Sequence, residues 1–269
     1  MINFSELLWK SGQTIDRGPR IASFTEPEEI RVLPQLEHAP VERVQIKPGS
    51  RLAQLIEPHS AGADRFRFLR MRLRELRGLA KLRSLTITSP MPGDGKSTTA
   101  LSLATALAEG GQYPTLLIDA DLHQSSLAAN LALQPRPGLA ECIQDGLDPM
   151  SKIVKVEPLA WHLLPAGKPR GNPTELLQSA TLAEVIQRVS QYFDWILIDT
   201  PPLLPLTDAL SLSRQVDAAL LVVRAGRTSR EAIEESIKLI GQKHVIGIVL
   251  NGAESVNRHY SRYYGRYGK

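Results

Sequence analysis

The run Ser89-Pro90-Met91-Pro92-Gly93-Asp94-Gly95-Lys96-Ser97-Thr98 joins small, flexible residues to one ammonium and two hydroxyls. Those types in that order suit phosphate. Gly93 and Gly95 free the backbone so that successive N–H groups from Gly93 to Thr98, Asp94 included, turn toward phosphate oxygens. Lys96 then reaches the β- and γ-phosphates, and Ser97 ligates Mg²⁺. Pro90 stands where the general pattern has its first glycine, so only the Gly-x-Gly-Lys-Ser core is present.

Three carboxylates complete a candidate site. Leu116-Leu117-Ile118-Asp119-Ala120-Asp121 ends one apolar run, and Trp195-Ile196-Leu197-Ile198-Asp199-Thr200-Pro201-Pro202 ends another. Residues two apart on a strand point to the same side, so Asp119 and Asp121 can address one small region. Mg²⁺ bound to phosphates takes one or two carboxylates, often through water, and Asp199 matches that Walker B role. Asp121 reads as the base and Asp119 as a metal-side ligand, although the sequence does not separate the two. Asn251, followed by Gly252, reads either as an adenine contact or as a turn. The six histidines lack metal spacing, Cys142 has no paired motif, and no glycine-serine elbow is present, which sets aside zinc sites and hydrolytic triads.

A second chemical signal is the end of the chain. Four of the six tyrosines, Tyr260, Tyr263, Tyr264 and Tyr267, fall among Arg258, Arg262, Arg266 and Lys269. This tail reads as a set of phosphate acceptors, as a stacking surface for single-stranded nucleic acid, or as a disordered tail without a defined role.

The elements that must position these groups read as alternating strands and helices. Apolar runs span Leu85–Thr88, Thr115–Ile118, His162–Leu164, Trp195–Ile198, Ala218–Val223 and Val245–Leu250, and helical patterns span Lys96–Glu109, Ser125–Leu133, Leu176–Gln191, Thr207–Arg214 and Ser229–Gly241. Strands without polar alternation need cover on both faces, which predicts a doubly wound α/β fold with a mostly parallel sheet and helices on both faces; the phosphate loop, not the periodicity, makes it of the P-loop NTPase kind. Ligands then belong at the carboxyl ends of the strands.

Upstream, Asp64 to Arg83 places Phe66, Leu69, Leu73, Leu76 and Ala80 on one helical face. Its flanks carry Arg65, Arg67, Arg70, Arg72, Arg74 and Arg77, a density that favours a surface meeting carboxylates or phosphates of another molecule. Residues 1–50 read as a flexible, proline-rich arm, with Phe4, Leu7, Leu8 and Trp9 forming a short amphipathic segment at its start. Residues 51–254 read as the catalytic domain and 255–269 as the tail. The 269-residue length suits one large domain, and the net charge of +4 permits an anionic partner. A single cysteine and the lack of a signal peptide or long apolar run predict a cytoplasmic protein.

From about Pro58 to the end, these motifs in this order resemble the bacterial tyrosine kinases of capsule and exopolysaccharide systems, relatives of the partition ATPases. The likeness rests on the loop at 92–97, on Asp119-Ala120-Asp121, and on Asp199-Thr200-Pro201-Pro202. It also rests on Gly138-Leu139-Ala140-Glu141, on Asn172-Pro173-Thr174-Glu175-Leu176-Leu177, and on the tyrosine tail. Asp64-x-x-Arg67-x-x-Arg70 resembles the motif through which members assemble into rings. Met91 occupies the place of the second lysine of partition ATPases, Asp64 shortens the usual glutamate, and His123 stands where an arginine is common. The resemblance implies Mg²⁺-ATP as cofactor and a neighbouring subunit's tail tyrosine as nucleophile. It further implies a membrane polysaccharide co-polymerase that activates the kinase and holds it at the inner face of the membrane, a tyrosine phosphatase as a further partner, and no nucleic acid. The alternative is an ATPase switch of the partition type that binds an anionic surface without kinase activity.

Overall fold

The chain is described by a computed structural model for residues 34–46, 53, 60–80 and 82–253. The tail tyrosines Tyr260, Tyr263, Tyr264 and Tyr267, and the segment around Phe4 to Trp9, lie outside the described residues. In chain order the elements begin with α1 (Pro34–Glu37), β1 (Val41–Arg43), α2 (Ala61–Ala80), β2 (Ser84–Thr88), α3 (Lys96–Ala108) and β3 (Thr115–Asp119). The middle holds α4 (Leu127–Asn130), α5 (Leu139–Asp145), β4 (Val154–Glu157), β5 (Trp161–Leu164), α6 (Pro173–Leu177) and α7 (Ala180–Val189). The chain continues through β6 (Trp195–Asp199), α8 (Asp208–Ser213), β7 (Ala218–Arg224), α9 (Arg230–Ile240) and β8 (Val245–Asn251).

Every residue of β2, β3, β5 and β6 is buried, as continuous apolar runs require when helices cover both faces. The eight strands form one sheet in the order β1-β4-β5-β3-β6-β2-β7-β8. Pairing is parallel except between β4 and β5, so β1 and β4 run against the other six. On one face Leu103 and Leu107 of α3 pack with Leu85, Ile87, Trp161, Trp195 and Leu197, and on the other Leu139, Ile143, Val185 and Val189 pack with Leu116, Ile118 and Ile196. Each such fully buried side chain contributes roughly 1.5–3 kcal/mol relative to exposure. The helix α2 docks on α3 through buried Leu73 and half-buried Phe66, Leu69 and Leu76, the face its periodicity predicts. Among the described residues, no helix is long and apolar enough to cross a membrane.

Two expectations differ from the structure. Residues 34–46, read as part of an unfolded arm, carry α1 and β1. Here Val44 is buried, its N–H donates to the Glu157 carbonyl at 2.8 Å, Lys155 donates to the Pro40 carbonyl at 2.9 Å, and Arg136 pairs with Glu42. The helix read over Leu176–Gln191 is two helices. Asn172 caps α6 by accepting the Thr174 N–H at 3.1 Å, and the Ser179 hydroxyl donates to the Leu176 carbonyl at 2.8 Å, closing the first helix before the second starts.

The strand order matters for chemistry because β3, β6 and β2 are neighbours. Asp119 registers with Asp199 across β3 and β6, and Asp199 registers with Ile87 across β6 and β2. Adjacent strands lie about 4.8 Å apart, so the loop after β2 and the acids ending β3 and β6 must share one edge of the sheet.

Candidate active site

Between β2 and α3 the loop turns through two left-handed glycines, Gly93 at φ +81° and Gly95 at φ +99°. At Gly95 a Cβ would lie 1.9 Å from Asn251 Nδ2, so glycine is required both by the backbone and by its neighbour. Asn251 itself donates to the Asp94 carbonyl at 2.9 Å, which ties the end of β8 to the loop. Asp94 is fully buried, and its carboxylate accepts the Met91 N–H at 3.1 Å and the Thr228 hydroxyl at 2.9 Å. Its side chain therefore braces the loop from inside and leaves its backbone for phosphate, although its motif position groups it with the nucleotide contacts.

Three residues that sequence reasoning did not single out complete this brace. Arg224 Nη1 donates to the Gly93 carbonyl at 3.1 Å, Arg227 lies 3.2 Å from where a Gly93 Cβ would be, and Thr228 also accepts the Arg224 N–H at 2.8 Å. Arg224 ends β7, the neighbour of β2, and Arg227 and Thr228 follow it. Applying the strand-end rule to β7 as well as to β3 and β6 would have found them.

Lys96 opens α3 and projects among the acids. Its Nζ donates to Asp121 Oδ2 at 2.8 Å and to Ser97 Oγ at 3.3 Å, and it stands 3.9 Å from Asp199 Oδ1. The structure thus brings Lys96, Ser97, Asp121 and Asp199 together, with Asp119 behind them. Asp119 accepts backbone N–H groups from Asp121 at 3.3 Å and Leu127 at 3.2 Å, whereas Asp121 accepts the Gln124 N–H at 3.0 Å. Both Asp199 oxygens are buried without a hydrogen-bond donor.

Burial raises the Asp119 carboxyl to about 7, and the neighbouring Asp199 charge adds to the effect. Burial likewise raises Asp199 to about 6, against the lowering pull of Lys96. For Lys96, burial disfavours the charge, but Asp199 and Asp121 outweigh it and the net shift is upward. Three carboxylates against one ammonium leave a deficit of positive charge at this edge. A divalent cation fits that deficit, and the bare oxygens of Asp199 beside Ser97 fit its ligand preference. Among the described residues, no group of three or more His, Cys, Asp or Glu could hold a metal ion. The donor set suits Mg²⁺ held by one or two carboxylates and a hydroxyl, with phosphate and water filling the rest.

His123 follows these acids, and its Nε2 lies 2.6 Å from Oδ2 of fully buried Asp208. Away from the site, Asp64, Arg67 and Arg70 of α2 converge within one subunit. Arg67 Nη1 donates to Asp64 at 3.1 Å, while Arg67 Nη2 at 2.8 Å and Arg70 Nη1 at 2.6 Å both reach Glu109 at the end of α3. The Arg67 hydrogen bond holds the Glu109 carboxyl below its ordinary range. Beside them Phe68 is 62% and Met71 48% exposed.

Residues 83–245 match the AAA domain family AAA_31. The chain is 38% identical over 191 residues to tyrosine-protein kinase CpsD of Streptococcus agalactiae, covering 69% of this chain and 81% of that protein. It is 30% identical over 239 residues to succinoglycan biosynthesis transport protein ExoP of Rhizobium meliloti (strain 1021), covering 81% of this chain and 30% of that protein. Among solved structures it resembles the BceF tyrosine kinase domain with a TM-score of 0.67 and 27% identity, covering 80% of this chain and 93% of that domain.

Proposed function

The chain belongs to the bacterial tyrosine kinases of the P-loop NTPase class, and from that premise we propose that it autophosphorylates Tyr260, Tyr263, Tyr264 and Tyr267 of its own tail, in trans between subunits, and thereby regulates exopolysaccharide or capsule polymerisation and export. The observation that carries the reading is Lys96 held between Asp121 and Asp199 at the mouth of a glycine loop. In it, backbone N–H groups from Gly93 to Thr98 bind the phosphates of ATP, Lys96 neutralises charge that develops on the transferred group, and Asn251 borders the base. Ser97 and Asp199, with Asp119 behind, hold Mg²⁺, which when bound neutralises phosphate oxygens and aligns them. A phenol with an ordinary pKa near 10 needs a proton acceptor at neutral pH, and Asp121 is the carboxylate whose outer oxygen only Lys96 engages. Phosphoryl transfer is mostly positioning and charge stabilisation, which suits a site built on strand ends.

Assembly into a ring through α2, with Asp64, Arg67 and Arg70 at its centre and exposed Phe68 and Met71 beside them, brings one subunit's tail to the next subunit's site. A membrane co-polymerase of the polysaccharide system recruits and activates the kinase at the inner face of the membrane, and a tyrosine phosphatase resets it. The full chain incubated with Mg²⁺-ATP, alone and with the cytosolic segment of such a co-polymerase, tests this. Label on the tail tyrosines that disappears in Lys96→Met is the expected result. Free phosphate release without protein label would overturn it in favour of an ATPase switch.

A further inference from the structure

At the end of β3 remote from the acids, Tyr113 sits against the arginine ladder of α2. The guanidinium of Arg74 lies 4.7 Å and that of Arg77 5.0 Å from its ring centroid. Arg77 is also 5.4 Å from the Trp195 ring and donates to Asp194. Arg74 has no carboxylate within ion-pairing distance among the described residues. Its Nε, together with Nη1 of Arg77, is buried without a hydrogen-bond acceptor. Burial lowers the Arg74 pKa, and the charges of Arg70 and Arg77 lower it further. Stacking on the phenol offsets part of this cost, but a ring face accepts no N–H in the way an oxygen does.

Among the described residues Arg74 lacks an anion altogether, and Arg77, paired with Asp194 through Nη2, lacks an acceptor for Nη1; both lie over the same ring. A phosphate monoester there would bring roughly −1.5 to −2 charges and three strong acceptors. The preceding Gly110, Gly111 and Gln112 are exposed, and both glycines are left-handed with open space where a Cβ would stand, so half-buried Tyr113 follows an accessible, adaptable loop. The geometry points to Tyr113 as a phosphate acceptor outside the tail, its phosphate retained by Arg74 and Arg77. The inference rests on the autokinase reading above, which supplies the donor.

In the transfer the Oη–H bond breaks and Oη bonds to the γ-phosphorus. The bond from that phosphorus to the bridging oxygen breaks, ADP leaves, and the phenolic proton passes to the catalytic carboxylate. Because Tyr113 lies at the opposite end of β3 from Asp119, the donor is a second copy of the chain. Once formed, the phosphate recruits the guanidiniums of Arg74 and Arg77, one and two helical turns beyond Arg70, which holds Glu109. The mark therefore acts on the helix that carries the assembly motif.

The test uses the full chain with Mg²⁺-ATP, in wild type, in a variant with Tyr→Phe at all four tail positions, in Tyr113→Phe and in Arg74→Gln/Arg77→Gln, with phosphopeptide mapping. Label at Tyr113 is expected in wild type and in the tail variant, and Tyr113→Phe should lose that label alone. A tyrosine phosphatase should remove it about tenfold more slowly than tail phosphate in wild type, and at the tail rate in the double arginine variant. A labelled tail with Tyr113 unlabelled overturns the inference and leaves the autokinase reading standing. Equal phosphatase rates in all proteins overturn the retention by Arg74 and Arg77. No label on any tyrosine overturns both readings together.

Discussion

Removing the carboxylate of Asp94 should loosen the phosphate loop from within, and the size of the effect follows from its partners. Asp94→Ala leaves the Met91 N–H and the Thr228 hydroxyl without their acceptor. Hydrogen bonds to a charged group are worth about 1.5–3 kcal/mol each, and relief of burying the carboxylate returns part of that, so a net loss of about 2–4 kcal/mol is expected. Thr228→Val removes one of the two bonds and also strands the Arg224 N–H. A double-mutant cycle isolates the Asp94–Thr228 pair, for which a coupling of about 1–2 kcal/mol is expected in urea unfolding of the four proteins. If the brace holds the loop in its phosphate-ready shape, ATP affinity falls with it, by a factor of about ten for each 1.4 kcal/mol that is spent ordering the loop on binding. A coupling within about 0.3 kcal/mol of zero, the scatter seen for independent sites, would refute the brace. So would Asp94→Ala binding ATP as tightly as wild type.

Gly95→Ala puts a methyl 1.9 Å from Asn251 Nδ2 at φ +99°, so titration with ATP should show at least about tenfold weaker binding, of which Gly95→Ala/Asn251→Ala recovers only part because the backbone strain remains. Burial, with Lys155 adding to it, lowers the pKa of His162 to about 4, against about 6.5 when unfolded. The unfolded chain therefore takes up the proton first as pH falls. The neutral imidazole's contribution is complete above about pH 6.5 and is lost toward pH 4, for a total of about 3 kcal/mol, and urea midpoints of His162→Phe should lack this part of the acid loss.

The acids of the candidate site and the glycine loop were legible because each belongs to one short run of sequence: an apolar strand followed at once by Asp119, Asp199 or the Gly93–Ser97 turn. The strand order then brings the runs together. Thr228 and Arg224 were legible only by their place at the carboxyl end of β7, since they act across the sheet on a loop 134 and 131 positions away and the run Arg224-Ala225-Gly226-Arg227-Thr228 carries no motif of its own. For Asp94 the motif shows the backbone's place in the loop, whereas the bracing role of its carboxylate, which binds nearby Met91 and remote Thr228, is not written in the motif. The strand β1 is three residues long beside a proline, too short for a period-2 pattern, and it depends on backbone pairing with β4. The residues of β4 do alternate, with Val154 and Val156 buried, but four residues bounded by Pro158 fall below the length at which alternation separates strand from loop.

The position of Lys96 has a consequence for the order of events. One ammonium serves two masters: it neutralises Asp121 at 2.8 Å, and it is the group the loop offers to the terminal phosphates. It cannot do both fully, because an Nζ drawn toward phosphate moves off Asp121 Oδ2. Two carboxylates hold it strongly enough to outweigh its burial, so only a ligand more anionic than Asp121 displaces it. A triphosphate meets that condition, and a phenol does not. Without nucleotide, then, one oxygen of Asp121, the proposed proton acceptor, is covered by Lys96 and the other is held by the Gln124 N–H. With nucleotide, the oxygen is uncovered at the moment the donor phosphate is in place. On the proposed kinase reading, the same side chain couples the availability of Asp121 as base to ATP binding, without a separate conformational switch.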